Sequence, residues 1–292
     1  MVTTPLAQYT PAPRAGQFGA GPIPARLLPA AVEGSGDQGA SRNPLGHSVR
    51  MSISWENSGT GDAGARVEGS RSEMEMTTRV RVKVCCVSDA EELRIAVGAG
   101  VDAVGLVSAM PSGPGQISDE LIAVLARQTP PGVDSFLLTS RTNADEIVRQ
   151  HRLTRTSVVQ LCDRVHNLER LRELLPGTRL VQVIHVVGPD SVAEAVDSAP
   201  HVDALLLDSG RPDLALPELG GTGRTHDWTV SEQICRSVGI PVFLAGGLTP
   251  ANVAEAAARV RPYGVDVCSG VRTSGRLDAS RLQDFLRALG RL

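Results

Sequence analysis

The sequence is poor in aromatic residues and has no long apolar run. Aromatic residues make up 3% of its 292 residues, so a core has to be built mainly from Val, Leu, Ile and Ala. No stretch approaches the roughly 20 apolar residues that a membrane-spanning helix needs, and we expect no membrane partner. The formal net charge is −3 and the basic residues form no long cluster, so we expect no nucleic-acid partner either.

Cysteine is also scarce, and its pattern argues against a disulfide framework. The cysteines are odd in number and show no short repeated spacing; they are Cys85, Cys86, Cys162, Cys235 and Cys268. The first residues lack the basic segment followed by an apolar segment that marks a secretory signal. We therefore expect a reduced, cytoplasmic protein.

The chain has two regions of different composition. Residues 1–77 are rich in Gly, Ala, Pro, Ser and Arg and show neither strand alternation nor helical periodicity. Such a segment cannot bury enough apolar surface to offset its ordering entropy, so we expect it to be disordered. The sequence from Met76 resembles a protein start, and a tail, a targeting extension and an over-long gene model all remain open interpretations. Residues 78–292 are expected to form the folded domain.

This division predicts that a protein beginning at Met76 folds and melts like the full chain, because residues 1–75 contain no core-forming pattern. The measurement is thermal unfolding of the two proteins under identical conditions. A large fall in melting temperature for the shorter protein would show that the leading segment packs on the folded domain.

From residue 78 onward, short β-branched segments alternate with helical patterns. Strands are predicted at 79–86, 103–107, 135–139, 158–161, 180–187, 204–208, 242–245 and 265–268. Helices are predicted at 89–98, 119–127, 144–151, 167–175, 191–197, 228–238, 250–260 and 279–289. Capping signals open several of them: Ser88, Ser118, and Thr249 with Pro250 at the first helical position.

Eight successive strand–helix units favour an α/β fold of the (β/α)8 TIM-barrel type over residues 78–292. Near-continuous apolar strands such as DALLLDS and PVFLAGG suit a parallel sheet covered by helices. The competing architecture is a doubly wound open sheet. It is disfavoured because no GxGxxG follows the first strand.

Three glycine-rich segments lie at the late strand–helix junctions. They are GGTG at 220–223, AGG at 245–247 and SG at 269–270. Loops after strands seven and eight are the usual phosphate site of a TIM barrel, and glycine lets backbone N–H groups converge on an anion. Tight turns without a ligand are the alternative. Three such segments in the right units favour a phosphate site.

Cys85 and Asp208 end the first and sixth predicted strands, where TIM barrels place their catalytic groups. A thiol there can act as nucleophile or base, although a small buried hydrophobe is the commoner fate of Cys. Burying the Asp208 carboxyl raises its pKa, which suits a general acid; a helix cap or loop hydrogen bond is the alternative. Since side chains alternate along a strand, Cys86 is predicted to pack behind the barrel wall.

A metal site is one possibility for Cys85, Cys162 and Cys268, because all three are predicted to face the barrel mouth. Thiolates at that density can hold zinc. The sequence has neither a CxxC nor an HxxxH spacing, so we expect no metal. His185, inside the strand VQVIHVV, is interpreted as a hydrogen-bonded barrel residue rather than a ligand.

Several ordered motifs resemble those of the phosphoribosylanthranilate isomerase family. They are VKVCC, GVDAVGLV, VVQL, DALLLDS, GGTG…DW, FLAGGLTPANV and GVDVCSGV. The resemblance runs from about Lys83 to the C-terminus and leaves residues 1–77 outside. Each motif alone is weak, whereas GGTG…DW, LAGGL.P.NV and GVDV.SGV in this order are highly specific.

The resemblance implies an intramolecular aldose–ketose isomerase of tryptophan biosynthesis that needs no cofactor. Its substrate is a small phosphosugar, N-(5'-phosphoribosyl)anthranilate, and its product is 1-(2-carboxyphenylamino)-1-deoxyribulose 5-phosphate. The family base matches Cys85 and the family acid matches Asp208. Substrate-binding positions match Gln160, Gly221, Thr222, Gly223, Gly246, Gly247, Ser269 and Gly270. The chain is expected to act as a monomer or homodimer.

Four departures from the family pattern lie around the site. The family's SPR, whose Arg meets the anthranilate carboxylate, is replaced by the stretch 113–115, which reads GPG. The His of QLHG is Cys162, the Gly of KxCG is Cys86 and the Glu of SGVE is Arg272. Arg141 and Arg272 are candidate replacements for the lost cation. Two alternatives to the isomerase therefore stay open: a paralogue acting on another phosphosugar, and a catalytically silent phosphosugar-binding barrel.

Overall fold

The computed structural model describes residues 79–210, 223 and 225–292. The predicted domain boundary at 77 and the expected disorder before it lie outside these residues. All described residues belong to one unit of the chain, Ser72–Leu292. Among them, no helix is long and apolar enough to cross a membrane.

The described part of the chain forms a closed barrel of eight parallel strands, as the sequence predicted. The strands are β1 Arg81–Val84, β2 Ala103–Val107, β3 Asp134–Thr139, β4 Val158–Leu161, β5 Arg179–His185, β6 Ala204–Asp208, β7 Val242–Leu244 and β8 Gly264–Val267. Each strand pairs with the next, and β1 closes on β8 with Lys83 opposite Asp266. The competing open sheet is excluded by this closure.

Eight helices follow the strands in alternation. They are α1 Ala90–Gly98, α2 Asp119–Gln128, α3 Ala144–Thr154, α4 Leu168–Leu174, α5 Ser191–Ser198, α6 Trp228–Ser237, α7 Val253–Val260 and α8 Ala279–Ala288. A short hairpin, β9 Arg272–Thr273 and β10 Arg276–Leu277, precedes α8. The helices cover the outer face of the barrel, where Leu106, Leu137 and Leu205 are fully buried.

The helix caps agree with the sequence at α2 and differ at α1 and α7. Ser118 accepts a hydrogen bond from the Leu121 N–H, as expected. The cap of α1 is Asp89, one residue after the predicted Ser88. Helix α7 starts at Val253 and not at Pro250, because the Asn252 side chain accepts from the Thr249 N–H and donates to the Gly247 carbonyl. The predicted Thr249 cap was therefore wrong.

A second apolar cluster fills the barrel interior. Its members come from alternate positions of the strands, as the pleat requires, and include Phe136, Val183, Leu206 and Phe243. The rings of Phe136 and Phe243 meet edge to face, with centroids 6.1 Å apart. Phe136 and Phe243 are thus the two aromatic members of this interior cluster.

Candidate active site

A cavity opens at the carboxyl ends of the strands. It encloses about 680 Å³ including its open mouth, a size that suits a small-molecule ligand. Its lining includes Cys85, Gln160, Asp208, Gly223, Gly246, Gly247 and Ser269 of the predicted site. Gly270 is not among the residues that line the cavity, and the predicted Gly221 and Thr222 fall outside the described residues.

Cys85 directly follows β1 and lies at the wall of the cavity. It is 7% exposed, and its backbone N–H donates to the Val267 carbonyl at 2.8 Å. This bond continues the β1–β8 pairing by one residue and fixes the thiol at the strand end. A cysteine held in this way can reach a ligand in the cavity without moving the backbone.

Asp208 ends β6, which is separated from β1 by two strands around the closed barrel. Its carboxyl is 8% exposed, and Oδ1 accepts a hydrogen bond from the Ser209 N–H at 2.7 Å. Burial raises the pKa of Asp208, against the smaller lowering effects of this N–H and of His185. A carboxyl that holds its proton more tightly than usual is suited to act as an acid.

The glycine-rich loops approach one another closely at the rim. A Cβ added at Gly270 would lie 1.9 Å from the Leu248 carbonyl oxygen, so no larger residue fits between the loops after β7 and β8. Gly223 comes near Ser269, whose Oγ would lie 3.4 Å from an added Cβ. Gly246 and Gly247 adopt φ of 81° and 62°, a region that glycine enters without strain. Three loops thus present backbone to one side of the cavity.

Gln160 projects from β4 into the barrel interior and is 3% exposed. Its amide Nε2 lies 3.7 Å from the Cys162 sulfur, while Oε1 has no partner among the described residues. His185 likewise bonds through Nε2 to the Cys162 carbonyl at 3.0 Å but leaves Nδ1 unpaired within the described chain. The sequence interpretation of His185 as a hydrogen-bonded barrel residue is thus right for one of its two nitrogens.

The prediction that Cys86 packs behind the barrel wall is wrong. Strand β1 ends at Val84, and Cys86 adopts φ of 63°, which breaks the alternation and turns its side chain into the cavity lining. Its thiol hydrogen-bonds the Cys268 sulfur, and this bond lowers the pKa of Cys268 and raises that of Cys86. The sequence contains a signal for this turn. The family motif KxCG has glycine at the position of Cys86, and glycine is typical of a left-handed backbone.

The altered loop after β2 packs directly on Cys86. Gly115 has φ of 72°, and a Cβ there would lie 2.6 Å from the Cys86 Cβ. Gly115, the last residue of the stretch expected to replace the family's SPR, therefore has no room for a side chain while Cys86 is present. Neighbouring Ser112, Gly113 and Pro114 line the cavity instead.

Neither proposed replacement cation lines the cavity. Both Nη atoms of Arg272 bind the buried Glu92, at 2.8 and 3.1 Å, and Nη2 also donates to the Cys86 carbonyl at 2.6 Å. Arg141 is exposed and pairs weakly with Glu146, at 3.5 Å. Among the described lining residues there is no Lys or Arg. Within the same residues, no group of three or more His, Cys, Asp or Glu side chains could hold a metal ion.

Comparison with known proteins identifies the family. A family model described as N-(5'-phosphoribosyl)anthranilate isomerase matches residues 82–288. An enzyme of that name from Haloferax volcanii is 41% identical over 212 residues, 71% of this chain and 92% of the relative. Isomerase 2 of Methanosarcina mazei is 36% identical over 212 residues, 71% of this chain and 92% of the relative.

A solved structure gives the same result. A crystal structure of phosphoribosyl anthranilate isomerase in complex with reduced 1-(o-carboxyphenylamino)-1-deoxyribulose 5-phosphate matches with a TM-score of 0.61 and 26% identity. The match covers 73% of this chain and 100% of that one. The fold, the cavity and these matches together define a (β/α)8-barrel enzyme of the isomerase class. The chain belongs to the N-(5'-phosphoribosyl)anthranilate isomerase family.

Proposed function

We propose that this chain converts N-(5'-phosphoribosyl)anthranilate to 1-(2-carboxyphenylamino)-1-deoxyribulose 5-phosphate, with Asp208 as acid and Cys85 as base. The observation that carries the assignment is that a buried carboxyl and a buried thiol, from strands that are not neighbours, line one cavity. Such a pair can serve two different atoms of a sugar. Membership of the isomerase family supports the same reaction.

The rearrangement has an acid step followed by a base step. Asp208 donates its proton to the ribose ring oxygen, the bond from that oxygen to the anomeric carbon breaks, and an iminium forms. The Cys85 thiolate then removes the proton from the adjacent carbon, and an enolamine results. The enolamine tautomerises to the ketone when its anomeric carbon takes up a proton. The raised pKa of Asp208 supports the first step, because the acid must be protonated when the substrate binds.

The proposed phosphate site lies where three loops come together on one side of the cavity. We call it the glycine rim, and its described residues are Gly223, Gly246, Gly247, Ser269 and Gly270. Backbone N–H groups at such a convergence bind an anion without a charged side chain. Gly221 and Thr222 belong to the same proposed site by their place in the sequence. Anchoring the phosphate here fixes the sugar between Asp208 and Cys85.

The direct test follows the fluorescence of phosphoribosylanthranilate with the purified full chain. We expect time-dependent consumption that is proportional to enzyme concentration, with the ketose product identified by mass spectrometry. A protein that binds ribose 5-phosphate but leaves the substrate unchanged would contradict the proposal. That result would favour the silent barrel or a paralogue with another phosphosugar.

The absence of a described cation from the cavity predicts a high KM for the anthranilate substrate. A bidentate carboxylate–guanidinium contact contributes roughly 1.5–3 kcal/mol, so its loss weakens binding about tenfold to a hundredfold. We expect the KM to exceed, by a factor in this range, that of an Arg-bearing relative assayed alongside. An equal KM would show that another cation meets the carboxylate.

A matched set of variants tests where a cation can be placed to meet the anthranilate carboxylate. Pro114→Arg should lower the KM about tenfold, since Pro114 already lines the cavity and its φ suits any residue. Pro114→Met, of similar length without charge, should leave the KM unchanged. Gly115→Arg should bring no gain, because its Cβ collides with Cys86. A gain from Pro114→Met equal to that from Pro114→Arg would exclude a charge effect.

A further inference from the structure

The barrel interior holds a buried lysine that the reaction steps above do not use. Lys83 is fully buried, with Nζ 2.8 Å from Asp266 Oδ2 and 5.2 Å from the centre of the Phe136 ring. Burial by itself lowers the pKa of Lys83, but the adjacent Asp266 carboxylate outweighs burial and raises the pKa above its usual value. Lys83 is therefore an ammonium ion throughout the neutral range.

Lys83 and Cys85 face one shared gap. They lie two residues apart on the same side of the β1 segment. Gly105, on the adjacent strand β2, leaves the space between them open. A Cβ at Gly105 would lie 3.2 Å from Lys83 Nζ and 3.1 Å from Cys85 Sγ. The ammonium nitrogen and the sulfur therefore border the same small space beside Gly105.

We propose that Lys83 is a positioning residue whose ammonium stabilises the Cys85 thiolate from beneath the cavity. The inference rests on the proposed role of Cys85 as base. An anion inside the barrel is costly to form, and a fixed opposite charge at short range offsets that cost. When Cys85 ionises, its proton passes to solvent at the cavity mouth. Asp266 holds the ammonium against β8 and keeps it from turning away.

The other ionisable groups around Cys85 do not supply this charge. Those on the surrounding strands and loops are acids, thiols or a histidine: Cys86, Cys162, His185, Asp208, Asp266 and Cys268. Arg272 contacts Cys85 through the backbone carbonyl, at 3.2 Å, whereas Lys83 Nζ borders the same small space as the Cys85 sulfur. Among the described neighbours of Cys85, Lys83 is the cation that lies beside the thiol sulfur.

The test measures how fast Cys85 reacts with iodoacetamide as a function of pH, by mass spectrometry of the peptide that contains it. All proteins carry Cys86→Gly, so that this peptide has one thiol. Lys83→Met combined with Asp266→Asn removes both charges and leaves no unpaired ion in the interior. Lys83→Arg keeps the charge and serves as the matched control. Cys235, on the outer helix α6, is the internal reference.

The expected result is that the pH midpoint of Cys85 alkylation rises by about one unit in the neutral double variant. Alkylation at pH 7 should then slow about tenfold, while Lys83→Arg stays close to the parent and Cys235 does not change. The acid limb of the kcat/KM profile should move upward by the same amount. If the double variant fails to fold, Lys83→Gln keeps a donor for Asp266 and takes its place.

An unchanged alkylation midpoint in the neutral variant would overturn the proposal, as would an equal shift in Lys83→Arg. Alkylation reads the thiol without any substrate, so it separates this proposal from the isomerase assignment. A shifted midpoint in a protein without isomerase activity would support the role of Lys83 and contradict the proposed reaction.

Discussion

Cys85→Ser and Asp208→Asn are each expected to slow turnover of phosphoribosylanthranilate by about a hundredfold or more. A serine hydroxyl is a far weaker base than a thiolate, and an asparagine amide has no carboxyl proton to give. Neither residue belongs to the glycine rim, so the inhibition constant of ribose 5-phosphate should change little. Steady-state kcat and competitive inhibition by ribose 5-phosphate measure the two effects separately.

Cys235→Ser is the control for the loss of a thiol away from the cavity, and it should retain the parental kcat. Parental turnover in Cys85→Ser or in Asp208→Asn would remove that residue from the mechanism. A loss of ribose 5-phosphate binding equal to the loss of turnover would show instead that the substitution damages the whole cavity.

Arg272→Met is expected to lower the free energy of unfolding by roughly 3–5 kcal/mol. Glu92 is 1% exposed, and the substitution would leave its carboxylate buried without the cation that now binds both oxygens. Arg276→Met is the matched control, because Arg276 pairs with Asp89 at the surface, where such a pair contributes about 1 kcal/mol or less. Denaturant unfolding of the three proteins gives both differences.

The penalty of Arg272→Met should depend on pH. Burial alone would raise the pKa of Glu92, but Arg272 and the Leu277 N–H together hold it below its usual value. The parent therefore has this stabilisation above the unfolded pKa of about 4.3 and loses it as the pH falls through the folded pKa. Without Arg272 the carboxyl takes up a proton more readily, so the deficit should shrink from pH 8 to pH 5. A deficit that grows on acidification would contradict this account.

The barrel itself could be predicted from the sequence because its signals are local and repeated. Five helices, α2, α3, α5, α6 and α8, start at the predicted residue, and β2, β4 and β6 have both predicted bounds. Strand β1 is shorter than predicted at both ends, since apolar residues lie on both sides of the segment that has strand geometry. Periodicity reports which face is buried and says little about where a strand stops pairing.

The details of the site depended on contacts between distant segments, which no local pattern encodes. The sequence singled out Cys85 and Asp208 because each ends a strand. It missed the direction of Cys86, since one left-handed residue reverses the alternation on which that prediction was based. It also left Arg272 open as a substrate cation, although its partner Glu92 lies 180 positions earlier in the chain.

For a similar reason, the sequence alone does not indicate a functional role for Lys83. In the sequence it is one charged residue within an apolar strand, and its meaning comes from Asp266 on the last strand and Gly105 on the second. The sequence predicts that the carboxylate-binding Arg is missing, and no Lys or Arg is found among the described residues that line the cavity. The collision that forbids its restoration at Gly115 appears only when the loop is placed against Cys86.

The pairing of β1 with β8 has a consequence for how the active protein is made. The strand that leads to Cys85 is among the first to leave the ribosome, whereas its partners Asp266 and Arg272 are among the last. Throughout synthesis the nascent chain therefore has no closed barrel and no fixed thiol. The barrel can close only after β8 has been synthesised and has paired with β1. A chain released before residue 264 would lack β8 and could not form the closed barrel.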